Sequence, residues 1–151
     1  MSVVMRRAEL SDLPALVDLL ADDALGQARE DTSRPLVESY REAFAAINRD
    51  PNQYLAVAQY EGAVVGCLQL TFLPGLSRRG QWRCQIESVR VAASHRNLGI
   101  GAQMMAWALA QARVRSCGVA QLTTDKTRAD AHRFYERLGF VASHEGMKLA
   151  L

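Results

Sequence analysis

The segment from Arg96 to Gly101 contains residue types that suit the binding of a phosphate group. It follows an apolar run that ends at Val91, and its glycines open a predicted helix. The first backbone amides of a helix lack helical partners, and the helix dipole favours negative charge there. Gly99 and Gly101 allow close approach of a phosphate, because a side chain at either place would fill its volume. Arg96 could add a charge-assisted hydrogen bond.

This glycine pattern, taken alone, also suits a tight turn between a strand and a helix. Ala102, Gln103 and Met104 follow Gly101, so the third glycine of a dinucleotide-binding loop is missing. No Gly-Lys-Ser/Thr sequence follows to make a Walker phosphate-binding loop. The residues by themselves therefore leave two readings, an anion site of another kind and a structural turn.

Alternating strand and helix patterns must position this segment. The predicted strands are Val3–Arg6, Tyr54–Ala58, Val64–Phe72, Trp82–Val91 and Gln121–Thr124, followed by extended ends at Phe140–Val141 and Met147–Leu149. The predicted helices are Leu13–Leu20, Pro35–Ile47, Gly99–Ser116 and Arg128–Leu138. Together they predict an α/β fold with a mixed, mostly antiparallel central sheet of six to seven strands and helices on both faces.

Composition limits the possible classes of protein. A chain of 151 residues with 49% hydrophobic and 23% charged residues predicts one domain over residues 1–151. A net charge of +2 is too small to indicate a nucleic-acid or membrane partner. Cys67, Cys84 and Cys117 form no CxxC pair, so we expect reduced thiols, no metal site and a cytoplasmic protein.

Two spaced blocks of sequence carry a resemblance to a known family. Val89-Arg90-Val91, four further residues and then Arg96-x-x-Gly99-x-Gly101 resemble the acetyl-CoA motif of the GNAT N-acetyltransferase superfamily. The stretch from Ala131 to Phe140, AHRFYERLGF, is similar to the C-terminal block of the same family. The resemblance covers nearly the whole order of elements. It implies a GNAT-like fold in which the strand ending at Val91 and the strand around Leu122 splay apart at the cofactor.

The resemblance also implies where acetyl-CoA binds. The pantetheine arm would pair with the backbone of the strand before the loop, and the diphosphate would rest on the loop amides. Many members have an asparagine seven residues before the tyrosine, where this chain has Arg128. That arginine could bind a CoA phosphate or be a solvated cation at a helix start. The implied cofactor-binding residues are Val89, Arg90, Val91, Arg96, Asn97, Leu98, Gly99, Ile100, Gly101 and Arg128.

Two side chains are candidates for proton transfer under the resemblance. Glu87 would take the amine proton, directly or through a water, since most amines are protonated at neutral pH. Period-two geometry puts Glu87 on the side of Val89 and Val91, whereas a bulge in this strand would change its facing. Tyr135 would donate a proton to the departing CoA thiolate. Their alternative roles are a solvated strand carboxylate and a packed helix residue.

The resulting expectation is an enzyme that moves an acetyl group from acetyl-CoA directly to a primary amine. A small-molecule acceptor is favoured over a protein or peptide amine, and a homodimer is considered. A catalytically inactive acetyl-CoA-binding sensor or subunit is the alternative function. No nucleic-acid, membrane or metal partner is expected.

Overall fold

Within residues 2–151, which the computed structural model describes, five strands form one sheet in the order β1-β2-β3-β4-β5. The strands are β1 (Val4–Arg7), β2 (Gln53–Tyr60), β3 (Ala63–Leu73), β4 (Arg83–Val91) and β5 (Val119–Leu122). Strands β1 to β4 pair antiparallel. A helical crossover joins β4 to its neighbour β5, an arrangement that makes the sheet mixed.

The helices are α1 (Leu13–Ala21), α2 (Ala24–Arg29), α3 (Glu38–Arg49), the single turn α4 (Ser77–Gly80), α5 (Ile100–Val114) and α6 (Ala129–Arg137). Helix α2 lies between the predicted helices Leu13–Leu20 and Pro35–Ile47, where the sequence pattern predicts no helix or strand. Its N-cap is Asp23, whose side chain accepts a hydrogen bond from the amide of Gly26. None of the helices within residues 2–151 combines the length and the apolar character needed to span a bilayer.

Helices cover the two faces of the sheet. Val57 and Cys67 lie on one face, in a buried cluster with residues of α1 and α3. Gly66 lies on the opposite face, where an added Cβ would come within 2.8 Å of the Met104 sulfur on α5. Tyr54 on the same face meets the ring of Trp107, also on α5, edge to face at 5.0 Å. Alternation along each strand therefore supplies both layers of core.

The prediction of six to seven strands is wrong, because the described chain has five. Phe140–Val141 and Met147–Leu149 form no strand, and residues 141–151 are exposed throughout. Side chains with strand propensity make a strand only when a neighbouring backbone pairs with them. The chain divides into two compact units, one ending at Gln121 and the other spanning Leu122–Leu151. One domain over residues 1–151 stays a prediction.

A charged pair fastens β1 to the turn before α1. The guanidinium of Arg6 donates to both carboxylate oxygens of Asp12, at 2.7 and 2.9 Å. Asp12 is only 8% exposed and also accepts from the amide of Glu9 at 2.8 Å. The hydrogen bonds from Arg6, as the largest cause, hold the pKa of Asp12 below its ordinary value.

Candidate functional site

The segment that joins β4 to α5 presents a run of backbone amides. The amides from Arg96 to Gly101 donate to no acceptor within the part of the chain that the structure describes. Asn97 and Gly99 have positive φ angles of 63° and 80°, which bend the segment into a concave loop. Helix α5 then begins at Ile100, whose side chain is buried in the core. We call residues 96–101 the amide loop. Its geometry suits an anion such as a diphosphate.

The space in front of Gly99 is open. A Cβ built on this residue meets no atom within 4 Å. The left-handed conformation favours glycine at this position, because a side chain would be strained there even though it meets no neighbour. The backbone conformation thus favours glycine, and the absence of a side chain leaves the loop surface clear for a ligand.

The side chain of Arg96 is tied back to the protein. Its Nε donates to the carbonyl of Val91 at 3.2 Å. Its Nη2 lies 3.4 Å from both the carbonyl and a carboxylate oxygen of Asp22, which follows α1. Both partners of this ion pair are about half exposed, at 48% and 46%. The guanidinium is therefore held beside the loop while its charge stays accessible to a ligand.

A bulge in β4 decides the facing of Glu87. Gln69 of β3 lies opposite Glu87 and Cys67 opposite Arg90, so a step of two residues on β3 faces a step of three on β4. Ser88 in the bulge has a φ of 55°. Glu87 therefore lies on the face covered by α1, whereas Val91, opposite Gly66, lies on the α5 face. The simple period-two prediction that put Glu87 and Val91 on one side is wrong, and the bulge alternative is confirmed.

Strand β5 lies beside only the first part of one edge of β4. The amide of Gly118 donates to the carbonyl of Trp82 at 2.9 Å, and Gln121 Nε2 donates to Gln85 Oε1 at 2.8 Å. Strand β5 thus runs beside the start of β4 and ends one residue after Gln121. Residues 89–91 lie past that end, in the region where the sequence predicts the two strands to separate. An extended ligand could pair with this edge as an added strand.

The second unit contains the other two predicted residues. Tyr135 on α6 is half-buried, and its ring contacts Phe134 and Phe140 edge to face at 5.2 and 5.9 Å. Gly139 ends this helix with a φ of 99°. Arg128 is the N-cap residue of α6, and its amide donates to the carbonyl of Asp125 at 3.0 Å. The predicted roles of Tyr135 and Arg128 stay predictions.

The cysteines belong to the packing of the sheet. Cys67 and Cys84 are buried, and Cys117 is half-buried. Burial raises the pKa of the Cys67 thiol to about 12 and that of Cys84 to about 11. Such thiols hold their protons and make poor nucleophiles. Within residues 2–151 no three His, Cys, Asp or Glu residues come together as a metal-binding group.

Sequence reasoning missed a set of polar side chains that share a sheet face with Glu87. They are Gln53, Gln69, Thr71, Gln85 and Gln121. The available signal was a polar residue at alternate positions of several predicted strands. Pairing of the strands, which the sequence does not specify, is what brings these positions together.

Comparison with known proteins identifies the family of this chain. The sequence model described as the acetyltransferase (GNAT) family matches residues 13–140, a range that includes Glu87, the amide loop and Tyr135. The aminoalkylphosphonate N-acetyltransferase of Salmonella typhimurium strain LT2 is 36% identical over 107 residues. That alignment covers 71% of this chain and 69% of the relative.

Solved structures share the backbone over nearly the full length. A protein from Bacillus halodurans C-125, described as a transcriptional regulator, superposes with a TM-score of 0.97 at 49% identity. The match covers 99% of this chain and 100% of that one. An acetyltransferase from Trypanosoma brucei superposes with a TM-score of 0.79 at 27% identity, covering 99% and 100% of the two chains.

Proposed function

The chain belongs to the acetyltransferase (GNAT) family, whose members use acetyl-CoA, and on this premise we propose that it acetylates the primary amine of a small molecule directly. Family membership makes it an acetyl-CoA-dependent acyltransferase. The finer proposal concerns the acceptor, the residue roles and the direct transfer.

The observation that carries the proposal is the amide loop that follows β4, together with the part of β4 that lies past the end of β5. Free amides from Arg96 to Gly101 suit a diphosphate, and the backbone of Val89–Val91 suits the extended arm attached to it. When bound, acetyl-CoA supplies the activated acetyl group. We assign Asn97, Leu98 and Ile100 to the loop through their backbone amides alone. Arg128 is assigned to a CoA phosphate.

Glu87 is the proposed proton acceptor. Glu87 is an exposed residue at the bulge of β4, and its carboxylate makes no ion pair or hydrogen bond with another residue in the range 2–151. It is therefore available to take a proton from an incoming amine, directly or through one water. The amine must lose this proton to become a nucleophile.

Tyr135 is the proposed proton donor. As the new C–N bond forms and the C–S bond breaks, the sulfur takes up negative charge. A phenol keeps its proton at neutral pH and can donate it to that sulfur. No covalent enzyme intermediate is needed, which agrees with the raised thiol pKa values of Cys67 and Cys84.

The acceptor class is proposed from the relative that acts on aminoalkylphosphonates. Such acceptors are short, with an amine at one end and an oxyanion at the other. We propose that this chain acts on a small amine of the same kind rather than on a protein or peptide amine.

Release of free thiol from acetyl-CoA tests the proposal. The panel contains 2-aminoethylphosphonate, amino acids, polyamines, aminoglycosides and short peptides, and mass spectrometry of the product locates the acetyl group. Acetylation of small amines supports the proposal, and preferential acetylation of peptides refutes the acceptor class. Tight binding of acetyl-CoA with no thiol release on any amine supports instead an inactive acetyl-CoA-binding subunit.

A further inference from the structure

A line of polar side chains crosses one face of the sheet from β2 to β5. Gln53 of β2 lies opposite Thr71 of β3, and Thr71 lies opposite Gln85 of β4. Gln121 of β5 joins the line by its hydrogen bond to Gln85. We call these four residues the glutamine row. Each is half-buried, and they lie on the face that carries Glu87.

Hydrogen bonds between neighbours hold these side chains in place. Gln53 Oε1 accepts from Gln69 Nε2 at 2.9 Å and from Thr71 Oγ1 at 3.0 Å. Gln85 Oε1 accepts from Gln121 Nε2 at 2.8 Å. The amide nitrogens of Gln53 and Gln85 meet no acceptor within the described residues. The row is thus pre-ordered and still has donors to offer a ligand.

Strand β4 places opposite charges at the two ends of this surface. Every second side chain of a strand points to the same face of the sheet. On β4 this face carries Arg83, Gln85 and Glu87, which lie opposite Leu73, Thr71 and Gln69 of β3. Four residues of strand separate the Cα atoms of Arg83 and Glu87 by about 13 Å. The long arginine side chain can shorten the distance between the two charges to the size of a small molecule. Arg83 is half-buried, and its side chain makes no hydrogen bond or ion pair with another described residue.

The alternative explanation of these polar residues is that this part of the sheet face is only exposed to solvent and binds no ligand. Further along the same face, however, Leu55, Val57 and Cys67 pack against the buried cluster that includes α1 and α3. A face exposed only to water does not require half-buried amides that are hydrogen-bonded across two strand boundaries, between β2 and β3 and between β4 and β5. Arg83, the neutral amide donors and Glu87 lie in line on this face. Their charges are complementary to a ligand with an anionic group at one end and an amine at the other.

We propose that Arg83 and the glutamine row bind the far end of the amine acceptor and select acceptors that carry an oxyanion there, such as a phosphonate, phosphate or carboxylate. Glu87 faces the amine, and Arg83 faces the oxyanion. This inference rests on the proposed function, because it names the residues that set the acceptor class at the same site.

The experiment compares two acceptors of similar length, 2-aminoethylphosphonate and propylamine, in Arg83→Gln, Arg83→Lys and wild-type protein. Arg79→Gln is the matched control, since Arg79 lies in the exposed turn α4. We expect Arg83→Gln to lower kcat/KM for the phosphonate at least about tenfold, because hydrogen bonds to charged groups contribute that much. The value for propylamine and the KM for acetyl-CoA should change less than about twofold. Arg83→Lys should recover part of the loss.

Gln85→Glu provides a second variant, because it places a like charge next to the expected oxyanion. It should lower kcat/KM for the phosphonate more than for propylamine. β-Alanine and O-phosphoethanolamine then distinguish the carboxylate and phosphate classes. Equal losses on the charged and the neutral acceptor, or no loss on either, would overturn the inference.

A binding measurement separates this inference from the proposed function. Calorimetric titration of 2-aminoethylphosphonate into wild-type protein and Arg83→Gln, each saturated with CoA, needs no turnover. Absence of thiol release with any amine would refute the proposed function. The inference would still be supported if wild-type protein binds 2-aminoethylphosphonate and Arg83→Gln does not. It would be refuted if both proteins bind it equally or if neither binds it.

Discussion

Replacing Gly99 by alanine tests whether the amide loop holds a diphosphate. Gly62, in the turn between β2 and β3, is a matched control. Both glycines have a φ of 80°, and an added Cβ at either meets no atom within 4 Å. Each substitution therefore has the same cost, that of a left-handed non-glycine residue, about 1–2 kcal/mol. For a chain of this size that cost corresponds to a fall in Tm of about 2–8 °C.

Of these two glycines, only Gly99 lies where the proposed diphosphate approaches the backbone. We expect Gly99→Ala to raise the Kd for CoA at least about tenfold, since one lost charge-assisted hydrogen bond has that effect. Gly62→Ala should leave the Kd unchanged. Isothermal titration at a temperature well below both Tm values measures the two affinities, and thermal denaturation checks that both variants have lost similar stability.

Acetyl-pantetheine, which lacks the diphosphate, makes the test specific. Its KM should be the same in Gly99→Ala and in wild-type protein. Equal Kd values for CoA in the two alanine variants would refute the assignment of the loop. A loss for acetyl-pantetheine as large as the loss for acetyl-CoA would show instead that the substitution disturbs β4 or α5.

Three further predictions concern single side chains. Glu87→Gln should lower kcat by a factor of about 10²–10⁴. Thiol-release rates measured from about pH 6 to 10 should show that the difference from wild-type protein shrinks as more of the amine is deprotonated. An unchanged rate would contradict the role of Glu87 as proton acceptor. Tyr135→Phe should lower kcat about a hundredfold with little change in KM for acetyl-CoA, whereas an unaltered kcat leaves only a packing role. Asp12→Asn should destabilise the protein by about 2 kcal/mol at pH 7, while Asp130→Asn, in an exposed pair, should change stability by less than about 0.5 kcal/mol. The lowered pKa of Asp12 means that its pair with Arg6 stabilises the fold above the unfolded pKa and loses this effect as the pH falls through the lower folded value. In chemical denaturation, the difference between Asp12→Asn and wild-type protein should therefore begin to shrink as the pH falls below about 4 and should disappear only below the lowered pKa of the folded state. A constant difference would contradict the pair's charge dependence.

Local features of the site could be predicted well from the sequence. The amide loop depends on glycines, a following helix and a preceding apolar strand, all within a dozen residues or so. The backbone conformation of the loop depends mainly on these neighbouring residues. The structure therefore has the loop at the position that the sequence predicts, at the start of α5.

Features that depend on strand pairing could not be read in the same way. The facing of Glu87 depended on an extra residue at Ser88, and nothing in the residue types of β4 required a bulge. The strand count was overestimated for the same reason, since the extended ends after Gly139 have suitable side chains but no ladder.

The sequence by itself determined the family, the position of the amide loop and the order of the main elements, because short-range backbone preferences and motif spacing encode them. Only the tertiary structure decided which side chains share the sheet face that carries Glu87. Gln53 and Gln121 lie far apart along the chain and join one row through the register of β2 to β5. Register results from long-range pairing and packing, which residue types at single positions do not specify.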